Sequence, residues 1–436
     1  MSKKPVTTRT GRFMKLAGMT ASVASRYAAD KVIGAFASDE KNAERLSRSY
    51  TKMADNIADT LGELKGAVMK VGQIASQTQD FLPAEFSMAL QKLQKEAPPV
   101  DFSVIAEQIR IELGNEPDVL FASFSQEPYA AASIGQVHEA VTHDGQTVIV
   151  KIQYPGVDES CDSDLKHLRT TLKLGGLLKI PKASVDALFA EIRERIHEEL
   201  DYENEARNIQ AFSEFHQKDE WVKIPAVVSH LSSRRVLTLE RVDGDHISGV
   251  TSDKYSQETI NLIGHRIFTM MADQLFKFKC IHGDPHAGNF AFRPDGSIVL
   301  YDFGCVKYLK PDIVEAYRKA LVAGINEDYV TLDQRLIDLG VRVEDKPAID
   351  DEYYAMWRDI FIKPFSSADT PYDFAEANLH QLVARNASSV FKYLDSFKPP
   401  VDSIFIDRMI AGHYWMMKRM GVQAAFRPEL ERYLSH

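Results

Sequence analysis

The segment that decides the fold is Ile281-His282-Gly283-Asp284-Pro285-His286-Ala287-Gly288-Asn289-Phe290, which is followed by Ile298-Val299-Leu300-Tyr301-Asp302-Phe303-Gly304. In the first stretch an aspartate precedes an asparagine by five residues, in a loop predicted between an apolar helix and a strand. In the second stretch an apolar strand ends at Asp302, and the glycine that follows permits a sharp turn. Asp284 can orient or deprotonate an attacking hydroxyl group, while Asn289 and Asp302 offer the oxygen ligands that Mg²⁺ prefers beside phosphate. The combination predicts phosphoryl-transfer chemistry, although Asp-Phe-Gly alone is a weak signal and Asp284 and Asn289 are also ordinary turn residues.

A predicted β-hairpin upstream carries a candidate lysine. Its strands, Val137–Val141 and Thr147–Gln153, alternate in polarity and are rich in Val and Ile, with turn residues between them. Lys151 lies among apolar neighbours of the second strand, where a cation is costly unless it meets a phosphate and a carboxylate. An isolated strand lysine is more often exposed. Spacing does not choose its carboxylate partner among the acids that follow, which are Glu191, Glu194, Glu198, Glu199, Asp201, Glu203 and Glu205.

The loop before the hairpin occupies the place where glycines cover the phosphates of ATP in a typical kinase. Here the candidate nucleotide-binding residues are Ala130, Ala131, Ala132, Ser133, Ile134, Gly135 and Gln136, with a single glycine among them. Backbone amides of such a loop can still hold an anion, but alanine narrows the available dihedral angles. We therefore expect a stiffer loop that binds nucleotide differently.

The order of predicted elements indicates an α+β fold that is predominantly helical. Helices are predicted at Asn42–Gln79, Asp101–Leu113, Asp158–Gly175, Ser184–Phe215 and Thr259–Lys279, and the chain from Pro311 onwards is predicted to be helical. Short strands are predicted at Val222–Pro225, Ala226–Ser229, Val236–Arg241, Phe290–Arg293 and Ile298–Tyr301. This layout is typical of a bilobal protein-kinase-like fold with a helical N-terminal extension. The predicted domains are a basic segment 1–40, a helical extension 41–120, an N-lobe 121–240 and a C-lobe 241–436.

The first forty residues are basic and amphipathic. The basic residues are Lys3, Lys4, Arg9, Arg12, Lys15, Arg26 and Lys31, and the apolar residues at helical spacing are Phe13, Met14, Leu16, Met19 and Val23. Such a segment can lie on an anionic membrane surface. It can equally be a mitochondrial transit peptide or a solvated basic tail.

Charge and composition exclude other classes of protein. The net charge of −10 argues against a nucleic-acid partner. Cys161, Cys280 and Cys305 lack the spacing of metal ligands, which predicts reduced thiols and no zinc site. No apolar run approaches the length of a membrane span, so any membrane contact is expected to be peripheral.

Together these motifs resemble the UbiB/ADCK family of atypical kinases. The residues that carry the resemblance are Lys70-Val71-Gly72-Gln73, the Ala130–Gln136 loop, Lys151, Glu199-Leu200-Asp201, Glu205, Asp284, Asn289 and Asp302-Phe303-Gly304. The resemblance implies that Lys151 pairs with Glu205 and that Glu240 lies at the connector between lobes, where backbone groups meet adenine. It also implies that the helix of Lys70, Gly72 and Gln73 folds across the site and contacts the segment of Glu199 and Asp201. These five residues would then belong to a regulatory or substrate pocket.

The resemblance further implies a function. It indicates a protein that binds ATP and Mg²⁺, acting as an ATPase or as a lipid or small-molecule kinase that supports biosynthesis of ubiquinone (coenzyme Q) or related prenyl lipids. Expected partners are membrane lipids, prenylated quinone precursors and quinone-biosynthesis proteins, and a homodimer is compatible with the family. The short extension favours a cytoplasmic protein on a bacterial membrane surface, with a mitochondrial location as the alternative. Two other functions stay open: a nucleotide-gated scaffold without catalysis, and a small-molecule kinase similar to aminoglycoside and choline phosphotransferases.

Overall fold

A computed structural model of the chain describes residues 9–34, 39–64, 88, 99–131, 134–174, 182–398 and 403–435. Two compact units are present: the first comprises Met1–Arg207 and Ala226–Arg241, and the second comprises Asn208–Pro225 and Val242–His436. The predicted helical extension and N-lobe therefore fall mainly in the first unit. The segment Asn208–Pro225 is grouped with the second unit, and the predicted domain boundaries stay predictions.

Helices and short strands follow one another along the chain. The helices are α1 Arg9–Gly34, α2 Asp39–Leu64, α3 Phe102–Leu113, α4 Pro117–Leu120, α5 Val157–Leu174, α6 Lys182–Glu199, α7 Tyr202–Phe215, α8 Gln257–Ala272, α9 Pro311–Ile325, α10 Tyr329–Asp338, α11 Asp351–Phe361, α12 Leu379–Asn386, α13 Ile404–Met420 and α14 Arg427–Leu434. The strands are β1 Ser123–Phe124, β2 Ala130–Ala131, β3 Gly135–Val141, β4 Thr147–Gln153, β5 Val222–Lys223, β6 Val236–Glu240, β7 Cys280–His282, β8 Phe290–Phe292, β9 Ile298–Leu300, β10 Val306–Tyr308, β11 Tyr372–Asp373 and β12 Gln423–Ala424. Helical residues predominate, as predicted.

The first unit contains an antiparallel sheet in the order β1-β3-β4-β6, with β2 paired to β3. The predicted hairpin is confirmed as β3 and β4, which pair from Gly135–Gln153 to Val141–Thr147. Alternate residues of β4, namely Val148, Val150 and Ile152, are fully buried. Successive side chains of a strand point to opposite faces, so Lys151 lies on the face opposite this apolar core.

The N-terminal helix α1 packs against protein rather than standing apart as a tail. Its residues Leu16, Met19 and Val23 are buried in the same apolar core as residues of α2 and α5. Phe13 and Met14 remain 53% and 66% exposed. The predicted apolar face is therefore divided: Leu16, Met19 and Val23 are buried against the protein, and Phe13 and Met14 are exposed.

A buried ion pair anchors this helix. Arg12 is 4% exposed and pairs with Asp164 of α5, which is 1% exposed. Nη1 of Arg12 also donates a hydrogen bond to the carbonyl oxygen of Leu64, at the end of α2. One guanidinium group thus connects three helices, and the hypothesis of a solvated tail is wrong for α1.

Several predicted elements differ from the structure. The predicted helix Ser184–Phe215 is two helices, because the Oδ1 atom of Asp201 accepts a hydrogen bond from the Asn204 amide, at 2.9 Å, and caps a new helix. The predicted strand Ala226–Ser229 is reduced to one bridge between Val227 and Leu239. The C-terminal region is not wholly helical, since β11 and β12 pair. The predicted helix Asn42–Gln79 is described only to Leu64, and the rest lies outside the described residues.

The second unit is built from helices around three small sheets. β5 pairs in parallel with β9, which pairs in antiparallel fashion with β8, and β7 pairs with β10. The three residues of β8 and of β9 are all buried. In the parts of the chain that the structure describes, every helix is too short or too polar to span a bilayer.

Replacing Arg12 with alanine tests the anchor of α1. The change leaves the Asp164 carboxylate buried without its partner, and we expect the free energy of unfolding to fall by about 3–5 kcal/mol. Denaturant unfolding measures the loss. Arg110→Ala is the matched control: it removes an exposed arginine paired with Glu107, and exposed pairs contribute little. Equal stability of Arg12→Ala and the control would contradict the anchor.

Candidate functional site

The loop between β7 and β8 places Asp284 and Asn289 side by side. Nδ2 of Asn289 donates to Oδ2 of Asp284 at 2.9 Å and to the Asp284 carbonyl oxygen at 3.1 Å. Both residues are half-buried. These bonds orient the amide so that Oδ1 of Asn289 points elsewhere, and it accepts no hydrogen bond from the described residues. An amide oxygen held in this way is suited to a hard cation.

Asp302 follows β9 and begins a turn that is held by its neighbours. Oδ1 of Asp302 accepts a hydrogen bond from the Gly304 amide at 3.0 Å. Phe303 is fully buried, and the centre of its ring lies 5.2 Å from the centre of the Phe212 ring on α7. Nδ2 of Asn208, also on α7, donates to the Phe303 carbonyl oxygen at 2.9 Å. Side chain and backbone of Phe303 together fix the direction of the Asp302 carboxylate.

Three contacts connect the two motifs. β7 pairs with β10, with His282 opposite Val306. The Gly283 amide donates to the Cys305 carbonyl oxygen at 2.7 Å. Nε2 of His282 donates to the carbonyl oxygen of Asp302. The loop of Asp284 and the turn of Asp302 are therefore bonded to each other. Together they carry Asp284, Asn289 and Asp302, the side chains that the sequence predicts for phosphate and metal chemistry.

Helix α13 packs closely against the loop that carries Asp284. A Cβ atom added to Gly412 would lie 2.4 Å from Cβ and Cγ of Pro285 and 2.9 Å from its carbonyl oxygen. Only glycine lets the helix approach the residue that follows Asp284 so closely. Gly412 is thus a positioning residue for the loop.

The first unit holds the predicted lysine pair. Nζ of Lys151 lies 2.6 Å from Oε1 of Glu205, and the two side chains are 16% and 4% exposed. The ammonium group also lies 5.6 Å from the centre of the Tyr202 ring. The pairing that the family resemblance implies is therefore present, and it fixes a nearly buried cation on the sheet face opposite the apolar core.

The alanine-rich loop is partly described. Ala130 and Ala131 form β2 opposite Val137 and Gln136, while Ala132 and Ser133 lie outside the described residues. A Cβ added to Gly135 would lie 2.3 Å from the Ile152 carbonyl oxygen, so this position requires glycine. Ile134 and Gln136 point into the core.

The Gln136 side chain is fully occupied by the protein itself. Its Oε1 atom accepts a hydrogen bond from the Val100 amide, and its Nε2 atom lies 3.2 Å from Nε2 of His138. A contribution of Gln136 to nucleotide binding would therefore come from its backbone.

The remaining predicted residues lie at the ends of helices and strands. Glu240 ends β6, and its amide donates to the Ala226 carbonyl oxygen at 2.8 Å. Glu199 ends α6 and is half-buried, while Asp201 caps α7. Lys70, Gly72 and Gln73 lie outside the described residues, so their predicted place in the site is not tested.

The sequence reasoning missed several residues that hold the site together. They are His282, Asn208, Phe212 and Gly412. A glycine inside an apolar helix costs about 1 kcal/mol relative to alanine, so Gly412 carried a signal of close packing. Asn208 and Phe212 had no such signal, because their partners lie far away in the sequence.

A second cluster of polar side chains is a poor metal site. Ligand atoms of Cys161, Asp162 and His197 lie within 4.8 Å of one another, although the cysteine spacing had given no indication of a site. Arg193 holds both carboxylate oxygens of Asp162, at 2.7 and 2.9 Å, and lowers the pKa of Asp162 to about 2. Burial raises the pKa of the Cys161 thiol to about 12. A metal needs a thiolate and a carboxylate that is not already paired, so the cluster is an ion-pair contact between α5 and α6.

Comparisons with known proteins agree with this architecture. The family described as ABC1 atypical kinase-like domain matches residues 92–336, more than half of the chain. The chain is 30% identical over 372 residues to the Saccharomyces cerevisiae protein named atypical kinase COQ8, mitochondrial, covering 84% of this chain and 73% of that protein. It is 29% identical over 389 residues to the Rattus norvegicus protein named atypical kinase COQ8B, mitochondrial, covering 86% and 70%. A Mycobacterium tuberculosis protein solved in complex with erythromycin is similar with a TM-score of 0.61 and 26% identity, over 91% of this chain and 98% of that one. The predicted kinase-like fold is confirmed.

Replacing Gly412 with alanine tests the support of the loop. The added methyl group overlaps Pro285, so we expect the loop to shift and amide hydrogen exchange across residues 283–289 to become faster. Gly324→Ala, where an added Cβ meets nothing within 4 Å, is the matched control in another helix of the same unit. Unchanged exchange in Gly412→Ala would show that the contact does not position the loop.

Proposed function

The chain belongs to the ABC1 atypical kinase-like family, known also as the UbiB/ADCK family, and we propose that it binds ATP with Mg²⁺ and transfers the terminal phosphoryl group. The observation that supports this most directly is the hydrogen bond from Asn289 to Asp284, in a loop tied to the Asp302 turn. Water, a lipid or another small molecule would receive the phosphoryl group.

The residues of the second unit divide the chemistry between them. The Asp284 carboxylate accepts the proton of the attacking hydroxyl group or orients it. Oδ1 of Asn289 and the carboxylate of Asp302 are oxygen ligands of the type that Mg²⁺ takes, so the donor set fits that ion. Bound Mg²⁺ would supply positive charge that neutralises the phosphates. Asn289 also restrains the Asp284 side chain through its amide hydrogen bond.

Lys151 of the first unit is suited to bind phosphate. An ammonium group has three donors, and Glu205 takes one of them at 2.6 Å. The glutamate side chain is 4% exposed, and its contact with Nζ restricts the rotamers of the lysine. We propose that Lys151 binds the phosphates of ATP and that Glu205 positions it.

The biological role follows from the relatives and stays a proposal. The named relatives are COQ8 proteins described as mitochondrial atypical kinases. We propose that this chain supports the biosynthesis of ubiquinone or a related prenyl lipid at a membrane surface, with lipids or prenylated precursors as partners. Phe13 and Met14 are the exposed apolar residues of α1 that could contact such a surface. A homodimer stays a prediction.

Hydrolysis of ATP by the purified full-length protein tests the enzyme. We expect Mg²⁺-dependent turnover that falls by at least about 100-fold in Asp302→Asn and in Lys151→Ala, because each change removes charge stabilisation of the transferring phosphate. Lys166→Ala is the control for Lys151→Ala, since Lys166 is an exposed lysine of the first unit. Wild-type turnover no higher than that of Asp302→Asn would contradict the proposal. If the wild-type chain binds ATP without turning it over, the result would favour the nucleotide-gated scaffold.

Quinone profiling tests the biological role separately. A strain that lacks the gene should lose its prenylated quinone and regain it with the wild-type chain but not with Lys151→Ala. Normal quinone in the deletion strain would exclude this role while leaving the enzyme proposal intact.

A further inference from the structure

Two cations flank one aromatic ring beside the proposed catalytic loop. We call Lys307, Phe405 and Arg408 the cationic–aromatic cluster. Nζ of Lys307 lies 4.7 Å from the centre of the Phe405 ring, and the guanidinium carbon of Arg408 lies 5.8 Å from it. Lys307 is on β10, and Phe405 and Arg408 are on the first turns of α13. The ring therefore gathers two positive charges that are far apart in sequence.

The cluster adjoins the residue before Asp284. A Cβ atom built on Gly283 would lie 3.5 Å from Cδ1 of Phe405 and 2.9 Å from Sγ of Cys305. Gly283 is directly bonded to Asp284, whose proposed task is to receive the proton of the attacking hydroxyl group. A group held by the cluster would consequently lie next to the loop that carries Asp284.

One hydrogen-bond donor of Arg408 is unsatisfied. Its Nη1 atom is buried and has no hydrogen-bond partner among the described residues. The neighbouring acid, Asp407, is not its partner; Oδ1 of Asp407 accepts a hydrogen bond from the Tyr317 hydroxyl group at 3.3 Å. Burying a charged donor without an acceptor is costly, and contact with a ring face does not replace the missing hydrogen bond.

We propose that the cationic–aromatic cluster binds a phosphate group carried by the acceptor molecule. This inference rests on the proposed function, since it assigns a substrate class to the same site. A phosphate oxygen offers the acceptor that Nη1 of Arg408 lacks, and the planar guanidinium group can donate two parallel hydrogen bonds to it. The phosphate is either that of a soluble phosphorylated metabolite or that of a lipid headgroup.

Binding of glycerol 3-phosphate, measured by its effect on the thermal midpoint of the full chain without nucleotide, tests the cluster. The midpoint should rise with concentration and saturate, which gives a dissociation constant. Arg408→Gln should raise that constant about tenfold or more, because a charge-assisted hydrogen bond pair is lost. Arg408→Lys keeps the charge without the planar guanidinium group, so its dissociation constant should lie between those of wild type and Arg408→Gln. The midpoint without ligand shows whether each variant is folded.

Matched variants locate the bound phosphate. Arg419→Gln removes an exposed arginine from the other end of α13 and should leave the constant unchanged. Lys151→Ala shows whether glycerol 3-phosphate binds instead at the proposed ATP-phosphate site. Equal constants for Arg408→Gln and wild type, or loss of binding in Lys151→Ala alone, would overturn the proposal.

Flotation with vesicles distinguishes the two sources of phosphate. Vesicles of phosphatidylcholine alone and of phosphatidylcholine mixed with phosphatidylglycerol serve as probes. Arg408-dependent binding to the mixed vesicles identifies a lipid headgroup, and Arg408-dependent binding of glycerol 3-phosphate alone identifies a soluble ligand. Absence of Arg408-dependent binding in both assays would overturn the inference.

The outcome is separable from that of the proposed enzyme activity. Asp302→Asn should lose ATP turnover and keep the dissociation constant for glycerol 3-phosphate. If wild type fails to turn over ATP yet binds glycerol 3-phosphate through Arg408, the enzyme proposal fails and the phosphate site stands. If turnover is normal and Arg408 has no effect on either assay, only the phosphate site fails.

Discussion

The pairing of β7 with β10 is the constraint on which the candidate site depends. It places His282 opposite Val306, the Gly283 amide on the Cys305 carbonyl oxygen and Nε2 of His282 on the Asp302 carbonyl oxygen. Two short motifs, each an ordinary turn when taken alone, are thereby held next to each other. The direction of Asp284 then depends on Asn289 and on the close approach of α13, and the direction of Asp302 depends on the burial of Phe303.

The proximity of Asp284 and Asn289 could be predicted from sequence because they belong to one loop. Asp284 and Asn289 lie five residues apart in one loop, and a strand delivers Asp302 to its own end. The partner of Lys151 could not be chosen in that way, since seven acids follow and only the family resemblance selected Glu205. The glycine at position 412 signalled close packing, but its partner Pro285 could not be predicted, and neither could the contact of Arg408 with Phe405. Both contacts depend on how α13 packs against parts of the chain that are distant in sequence.

The N-terminal helix shows a limit of amphipathic patterns. Leu16, Met19 and Val23 have the spacing of a face that seeks an apolar partner, yet the pattern does not distinguish a membrane from a protein core. Here that partner is the rest of the first unit, and Arg12, predicted as one more surface charge, is buried against Asp164. The break at Asp201 has a similar origin, because a capping carboxylate ended a helix that apolar periodicity alone would have continued.

The central claim is that Asn289 and Asp302 hold Mg²⁺ for a bound nucleotide. Equilibrium binding of ATP in Mg²⁺ and in EDTA, compared between wild type and the double variant Asn289→Ala/Asp302→Asn, tests it without requiring turnover. We expect that Mg²⁺ tightens ATP binding by the wild-type chain and has a much smaller effect on the variant, because the amide oxygen of Asn289 and the negative charge of the Asp302 carboxylate are gone. A variant that keeps the full effect of Mg²⁺ would contradict the assignment of these two residues.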